Sequence, residues 1–313
     1  MKKRYLLLII FILALISLFL GVSQFSILDI FKLTKAKQNI LFLSRIPRLI
    51  SIITAGMGIS IAGLIMQQIS QNKFVSPTTA ATIDSAQLGI LTALIFFPGA
   101  KLLAKMSLAF LFAVIGSLLF MSILKKIKVK SVVIIPLVGI MLGRIISATS
   151  SFFAYRYQLV QNLSAWMQGD FSMIIEGRYE LLYLSIPLII VAYLYANQFT
   201  MTGLGEDFSK NLGLNYRLYV NLGIVIVALI SAAVVITVGR IPFLGLIIPN
   251  LVTMYYGDNL KQNIMPTALV GAAFLLAADI LGRLVIYPYE IPIGLVVGVL
   301  GSFIFILLIR SDS

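Results

Sequence analysis

Apolar runs long enough to cross a bilayer recur from one end of this chain to the other, separated by short polar stretches. A helix needs about 20 apolar residues to span the hydrocarbon core, and no water-soluble fold needs so many such runs. The chain is 60% hydrophobic and only 11% charged, against about a quarter charged residues in a soluble domain. The expected fold class is therefore all-α, a polytopic membrane protein.

Composition removes several functions. The sequence contains no cysteine and no histidine, so disulfides, thiolate metal sites, the commonest metal ligand and the usual general base are excluded. No metal or cofactor is expected on this chain. There is no Gly-x-x-x-x-Gly-Lys-Ser/Thr loop for ATP and no Gly-x-Ser-x-Gly elbow, which argues against an enzyme. The net charge of +13 reads as Lys and Arg at span edges meeting anionic lipid, and not as a nucleic-acid surface.

The N-terminus, MKKRYLLLIIFILALISLFLG, has a basic head and a long apolar run without a clean cleavage site. It reads as a retained first span with Lys2, Lys3 and Arg4 inside. Further spans are expected over about Leu49–Met66, Ala81–Phe97, Leu102–Leu124, Val132–Phe153, Tyr179–Tyr195, Leu218–Val238, Phe243–Tyr256, Ile264–Val285 and Ile293–Ile309. The second is rich in small residues, Ala55, Gly56, Gly58, Ser60, Ala62 and Gly63, which lets helices approach closely. A polar elbow with Pro77, Thr78, Thr79, Thr82 and Asp84 leads into the third. The eighth is short and expected to be partly broken by Pro249.

About ten spans with both ends inside follow, the orientation resting on the basic tail and on Lys125, Lys126, Lys128 and Lys130. One transmembrane domain, 1–313, divides into a first span (1–24), a four-helix set (45–153), an external segment (154–178), a sixth span (179–197), a cytoplasmic segment (198–217) and a second four-helix set (218–310). Both sets carry an early Gly/Pro-rich break, a pattern that fits an inverted internal repeat.

The longest polar interruption of the C-terminal half is Met201–Arg217, MTGLGEDFSKNLGLNYR. Asp207–Leu212 reads as a short helix stopped by Gly213, either a plain loop or a docking surface. Asp279 and Arg283 share one face of the ninth span, as a pair at the external mouth or as a structural salt bridge. Arg144, inside the fifth span, has no local partner, so a packing or pore role stays open. Asp84 is placed to cap a helix start or relay protons. Arg45 and Arg48 flank Ile46-Pro47 as interfacial anchors or as a dock for acidic groups. No acidic residue recurs at spacings that suggest proton or sodium coupling, which favours energy supplied by another subunit.

Taken together, Arg45-Ile-Pro-Arg48 with GMGISIAGLIMQQISQNKFVSPTT, then SAWMQGDF, LGEDFSKNLGLN, GRIPFLGLIIPNLV and LLAADILGRLVIYPYEIPIGLVVGVLGS resemble, in order, the permease subunits of iron(III)-siderophore and vitamin B12 type ABC importers. The resemblance implies a ten-span subunit of a dimer, homodimeric or paired with a paralogue. It also implies two ATP-binding partner subunits that use ATP and Mg, and an extracellular or periplasmic substrate-binding protein. Leu204, Gly205, Glu206, Asp207, Leu212 and Gly213 match the family's ATPase-coupling segment. Arg45, Arg48 and Arg283 match its receptor-docking arginines. Trp166, Gln168 and Gly169 match the segment at the pore entrance, and Pro136, Gly139 and Gly143 fall on the helix implied to line the pore or inner gate.

One departure is Pro249-Asn250, where the family often has Pro-His; it removes a titrating group at that position. The wording of AGLIMQQISQNKFVSPTTA and WMQGD resembles the ferric catecholate and petrobactin subgroup, with haem or cobalamin as alternative cargo. A stand-alone secondary transporter is the opposing class, and the spans show no ion site for it. The implied location is the bacterial cell membrane.

Overall fold

The small-residue face of the second expected span sets the centre of the molecule. A Cβ on Gly63 would lie 1.8 Å from the Gly245 carbonyl oxygen, and one on Gly56 would lie 2.7 Å from that of Gly271. Backbones this close leave no room for side chains, and the gain is dispersion contact along the whole helix. The helix carrying Gly56 and Gly63 is accordingly 78% buried over its most apolar window.

The computed structural model describes residues 3–21, 34–77, 81–127, 134–174 and 179–311. In order, α1 spans Lys3–Phe19 and α2 Lys35–Ile40, which runs through a π-helical turn, Leu41–Arg45, into α3, Ile46–Ile69. Next come α4 (Thr82–Phe96), α5 (Leu102–Lys126), α6 (Ile134–Arg156) and the short α7 (Val160–Met167). A 3-10 turn at Glu180–Leu184 leads into α8 (Ser185–Leu194), α9 (Ala196–Thr202) and α10 (Glu206–Asn211). The chain closes with α11 (Tyr216–Val238), α12 (Leu244–Tyr256), α13 (Leu260–Leu284) and α14 (Ile293–Ser311). Lys2 of the basic tail, Thr78 and Thr79 of the elbow, and Lys128 and Lys130 of the basic cluster lie outside the described residues.

The all-α, multi-span architecture is as expected, but the number of full-length spans is smaller. Among the described residues five helices are long and apolar enough to cross a membrane, six if the pair bent by 65° at Tyr195 counts as one. Four of the expected spans, Arg4–Phe19, Thr82–Phe96, Leu244–Tyr256 and Ile293–Leu308, are apolar helices of 10–17 residues, short of the roughly 20 a straight crossing needs.

α3, α11 and α13 form the core. Ile52, Ala55 and Ile59 pack with Val234, Leu275 and Leu276 in one cluster, and Ile61, Ile65 and Ile69 with Val227, Ile230 and Ile264 in another. α5 and α6 sit outside it, only 33% and 22% buried over their apolar windows. α12 is continuous through Pro249, contrary to the expected break. Pro249 has no amide to offer the Gly245 carbonyl, and that carbonyl is the one lying against Gly63.

Candidate functional site

The expected site residues gather at three levels. At one end, carbonyls from the last turns of α1, which have no intrahelical partner, are met by guanidiniums. Arg283 donates from Nη1 to Ser17 O at 3.1 Å and Leu20 O at 3.0 Å, and from Nη2 to Ser17 Oγ at 2.5 Å. Arg45 donates to Leu18 O. Cations at a helix C-terminus also meet its negative dipole end.

Asp279 ties this end together. One carboxylate oxygen accepts from Arg48 Nη2 at 2.8 Å and the other from Arg283. Arg48 also grips Glu290, at 2.8 and 3.1 Å. Asp279 is 2% exposed in its side chain and Arg283 6%, with Arg48 at 15%. The three arginines matched to receptor docking are thus brought together, each bonded within the chain. An acidic group arriving from outside would have to compete with Asp279 and Glu290.

In the middle, α7 ends at Met167 and the next residues thread between two other stretches. Arg240 N donates to Met167 O at 3.0 Å, Asp170 N to Val238 O at 2.9 Å and Gly294 N to Gly169 O at 2.9 Å. Gly169 is buried, and a Cβ there would lie 2.3 Å from the Arg240 carbonyl oxygen. Gln168 is exposed beside this junction. Trp166, half-buried on α7, packs into the cluster that holds Ile83, Val235 and Ile236.

Next to the junction lies a cavity of about 480 Å³ lined by Asp84, Gly139, Arg144, Arg240, Ile241 and Phe243, among others. Gly139 and Gly143 face this region, the latter with its Cβ position 2.5 Å from Asp84 Oδ2. Pro136 lies in the first turn of α6. Asp84 sits in the first turn of α4, where a carboxylate suits the positive end of the helix dipole. Its Oδ1 also meets Arg240 at 3.4 Å, and Arg240 donates to Gln87 Oε1 at 2.6 Å. Arg240 and Gln87 were not singled out from the sequence. Arg240 reads as an ordinary turn residue, and its partners are 156 and 153 positions away.

At the other end, α9 and α10 fold the polar interruption into a fixed piece. The helix expected over Asp207–Leu212 is found over Glu206–Asn211. Gly205, with φ +103, admits the chain to α10. Gly213, with φ +77, lets the amides of Gly213 and Leu214 reach the carbonyls of Lys210 and Ser209, the Schellman ending. Ser209 Oγ lies 2.9 Å from Met201 O, Lys210 pairs with Glu206 at 2.7 Å, and Gln68 of α3 donates to Thr200 O at 3.3 Å. Asp207 is exposed. Leu204, Phe208 and Leu212, four apart, are 57%, 52% and 51% exposed, which leaves an apolar row uncovered on a polar segment. Nearby, Asn250 donates to Lys73 O at 2.8 Å and Leu246 O at 2.9 Å, a packing role at the position where the family often has His.

Among the described residues no group of three or more acidic, His or Cys side chains could hold a metal ion.

Long apolar helices packed on a small-residue face, five or six of them able to cross a membrane among the described residues, define a multi-pass membrane protein. The chain matches the FecCD transport family over residues 7–311, and it belongs to that family. It is 58% identical to the petrobactin import system permease protein YclN of Bacillus subtilis, over 99% of both chains. It is 39% identical to the ferric-anguibactin transport system permease protein FatD of Vibrio anguillarum, over 95% of this chain and 94% of that one. A solved structure described as an inward-facing conformation of a metal-chelate type ABC transporter superposes with a TM-score of 0.88 at 24% identity, covering 99% of this chain and 98% of that one. That likeness fixes the fold. The family resemblance read from the motifs is borne out.

Proposed function

We propose that this chain is the membrane permease of an ATP-driven importer that carries an iron(III)-siderophore complex of the petrobactin type into the cytoplasm. The observation that carries this reading is the 58% identity to the petrobactin permease over 99% of both chains. Vitamin B12 permeases of Yersinia are matched at 29% over 85% of this chain, so the siderophore takes precedence over cobalamin.

In this reading the permease has about ten spans with both ends inside, the two four-helix sets forming an inverted repeat. Among the described residues five long helices, one bent pair and four shorter apolar helices are compatible with that number. Two permease subunits enclose the path, and two ATPase subunits dock on the inner segment, 198–217. The exposed row Leu204, Phe208 and Leu212 supports the docking role, since apolar side chains on a polar segment call for a cover. The receptor settles on the opposite end, where its carboxylates exchange with Asp279 and Glu290 for Arg48 and Arg283. ATP-driven movement of the inner segment then tilts the helices between two states. No catalysis is assigned to this chain, because ATP hydrolysis belongs to the partner subunits.

The test is reconstitution in lipid vesicles with the ATPase and receptor of the same importer. The expected result is receptor-stimulated ATP hydrolysis with uptake of the ferric siderophore. Uptake by this chain alone, driven by an ion gradient, would overturn the proposal.

A further inference from the structure

Arg144 is the eleventh residue of α6, Ile134–Arg156, so about 16 Å of helix lies on either side of it. It is exposed on the chain's surface and makes no hydrogen bond or ion pair with another described residue. A guanidinium at that depth is costly against lipid, and it lies too far from either helix end to reach the headgroups by snorkelling. The cost falls away if the face is wet. α6 is the least buried of the long helices, and Arg144 opens into the cavity of about 480 Å³, a size usual for small-molecule sites.

The cavity has an unbalanced charge. Arg144 and Arg240 both line it, against the single carboxylate of Asp84. Asp84 is 3.4 Å from Arg240 and only 23% exposed in its side chain, while the Arg240 side chain is 43% exposed. Gln87, on the next turn of α4, accepts from the same Arg240 Nη2 at 2.6 Å. Arg240 is therefore positioned by neighbours and still open, and Arg144, whose charge acts on Asp84 without bonding to it, keeps its donors for a ligand. Phe243 and Ile241 supply apolar wall. Two guanidiniums beside aromatic and aliphatic surface fit a bulky anion whose charge is spread over a planar or oxygen-rich shell.

We infer that this cavity is an electropositive binding station on the transport path, where Arg144 and Arg240 hold a ferric chelate of net negative charge. Catecholate and carboxylate donors bring more negative charge than iron(III) cancels, whereas three hydroxamates just balance it. The station therefore selects by charge inside the membrane, in addition to any selection by the receptor. The inference rests on the importer reading above.

The test uses the assembled importer in lipid nanodiscs, without receptor or nucleotide. Two radio-iron probes are compared by equilibrium dialysis: a trianionic hexadentate ferric tris-catecholate and a neutral hexadentate ferric tris-hydroxamate. Arg144→Gln is expected to weaken the trianion about tenfold or more and the neutral chelate less than about twofold. Arg144→Lys recovers most of the loss, and Asp84→Asn tightens the trianion by removing its one repelling neighbour. Equal weakening of both probes, no effect of Arg144→Gln, or dissociation of the permease pair in that variant would each overturn the station. Dissociation would make Arg144 a subunit contact instead. Charge-selective binding without any ATP-driven uptake into vesicles would sink the importer reading and leave the station standing. Uptake unaltered in Arg144→Gln would sink the station alone.

Discussion

Arg48 and Asp279 meet at 2.8 Å across 231 residues of sequence, and the same carboxylate holds Arg283 with its other oxygen. Removing the shared anion leaves Arg283 without a carboxylate and Arg48 with Glu290 alone, in a site that is nearly closed to water. Asp279→Ala is expected to cost about 3–5 kcal/mol. Glu290, with 27% side-chain exposure, contributes less, and Glu290→Gln should cost about 1 kcal/mol or less. Thermal unfolding in detergent, followed by circular dichroism, checks both; equal losses would show that Asp279 is not the tie.

The close approach of α3 and α12 leaves Gly63 no room. A Cβ at 1.8 Å from the Gly245 carbonyl oxygen forces the helices apart, and Gly63→Ala is expected to cost about 1–3 kcal/mol or more. Gly99 has nothing within 4 Å of its Cβ position, so Gly99→Ala serves as the control. Yield of folded protein on size exclusion separates the two.

Gly169 makes a sharper case, because backbone surrounds it on two sides. A side chain would meet the Arg240 carbonyl at 2.3 Å and the Gly294 Cα at 3.1 Å. Gly169→Ala is expected to insert into the membrane at wild-type levels and to lose at least about tenfold in uptake rate, since misplacement of order 1 Å commonly costs more than that. Normal uptake would mean the junction is not part of the transport machinery.

Phe208 and Leu212 are about half exposed, so polar substitution there should leave the fold alone. Phe208→Asp and Leu212→Asp are expected each to weaken co-purification of the ATPase about tenfold or more, as loss of a buried anchor does at an interface. Their unfolding temperatures should match wild type. Unchanged assembly would rule out the inner row as the docking surface.

Asn250 offers a last check at the end that holds α10. Asn250→Leu leaves the Lys73 carbonyl without its 2.8 Å donor and is expected to cost about 1–3 kcal/mol. Asn250→His, which keeps a donor, should cost less in the same unfolding measurement.

Much of the helical layout was readable, because apolar runs and their Gly/Pro punctuation are local signals. The small-residue face of the second span foretold the contact of Gly56 with Gly271 and of Gly63 with Gly245 in kind, though not in partner. Helix lengths were less legible. The shortness of Leu244–Tyr256 was expected and holds at 13 residues, whereas a run such as Ala81–Phe97 looks like a span in sequence and forms only the 15-residue helix Thr82–Phe96, too few for a straight crossing. The break expected at Pro249 failed because the carbonyl it orphans faces another helix. At the Asp279 end, four-residue spacing revealed Asp279 with Arg283, while Arg48 and Glu290 joined them only in three dimensions. Arg240 was missed for a similar reason. Its charge is unremarkable in a turn, and its meaning comes from Asp84 and Gln87 in the other half of the chain.

The crossing of backbone at Met167, Val238 and Gly294 has a mechanical corollary. Three amides, from Asp170, Arg240 and Gly294, lace the ends of α7, α11 and α14 to one another without any side chain. α11 begins at Tyr216, at the end of the segment proposed to feel the ATPase. The far tip of α11 is thus yoked to two other helices, so any tilt of α11 would be shared with α7 and α14 through main-chain bonds.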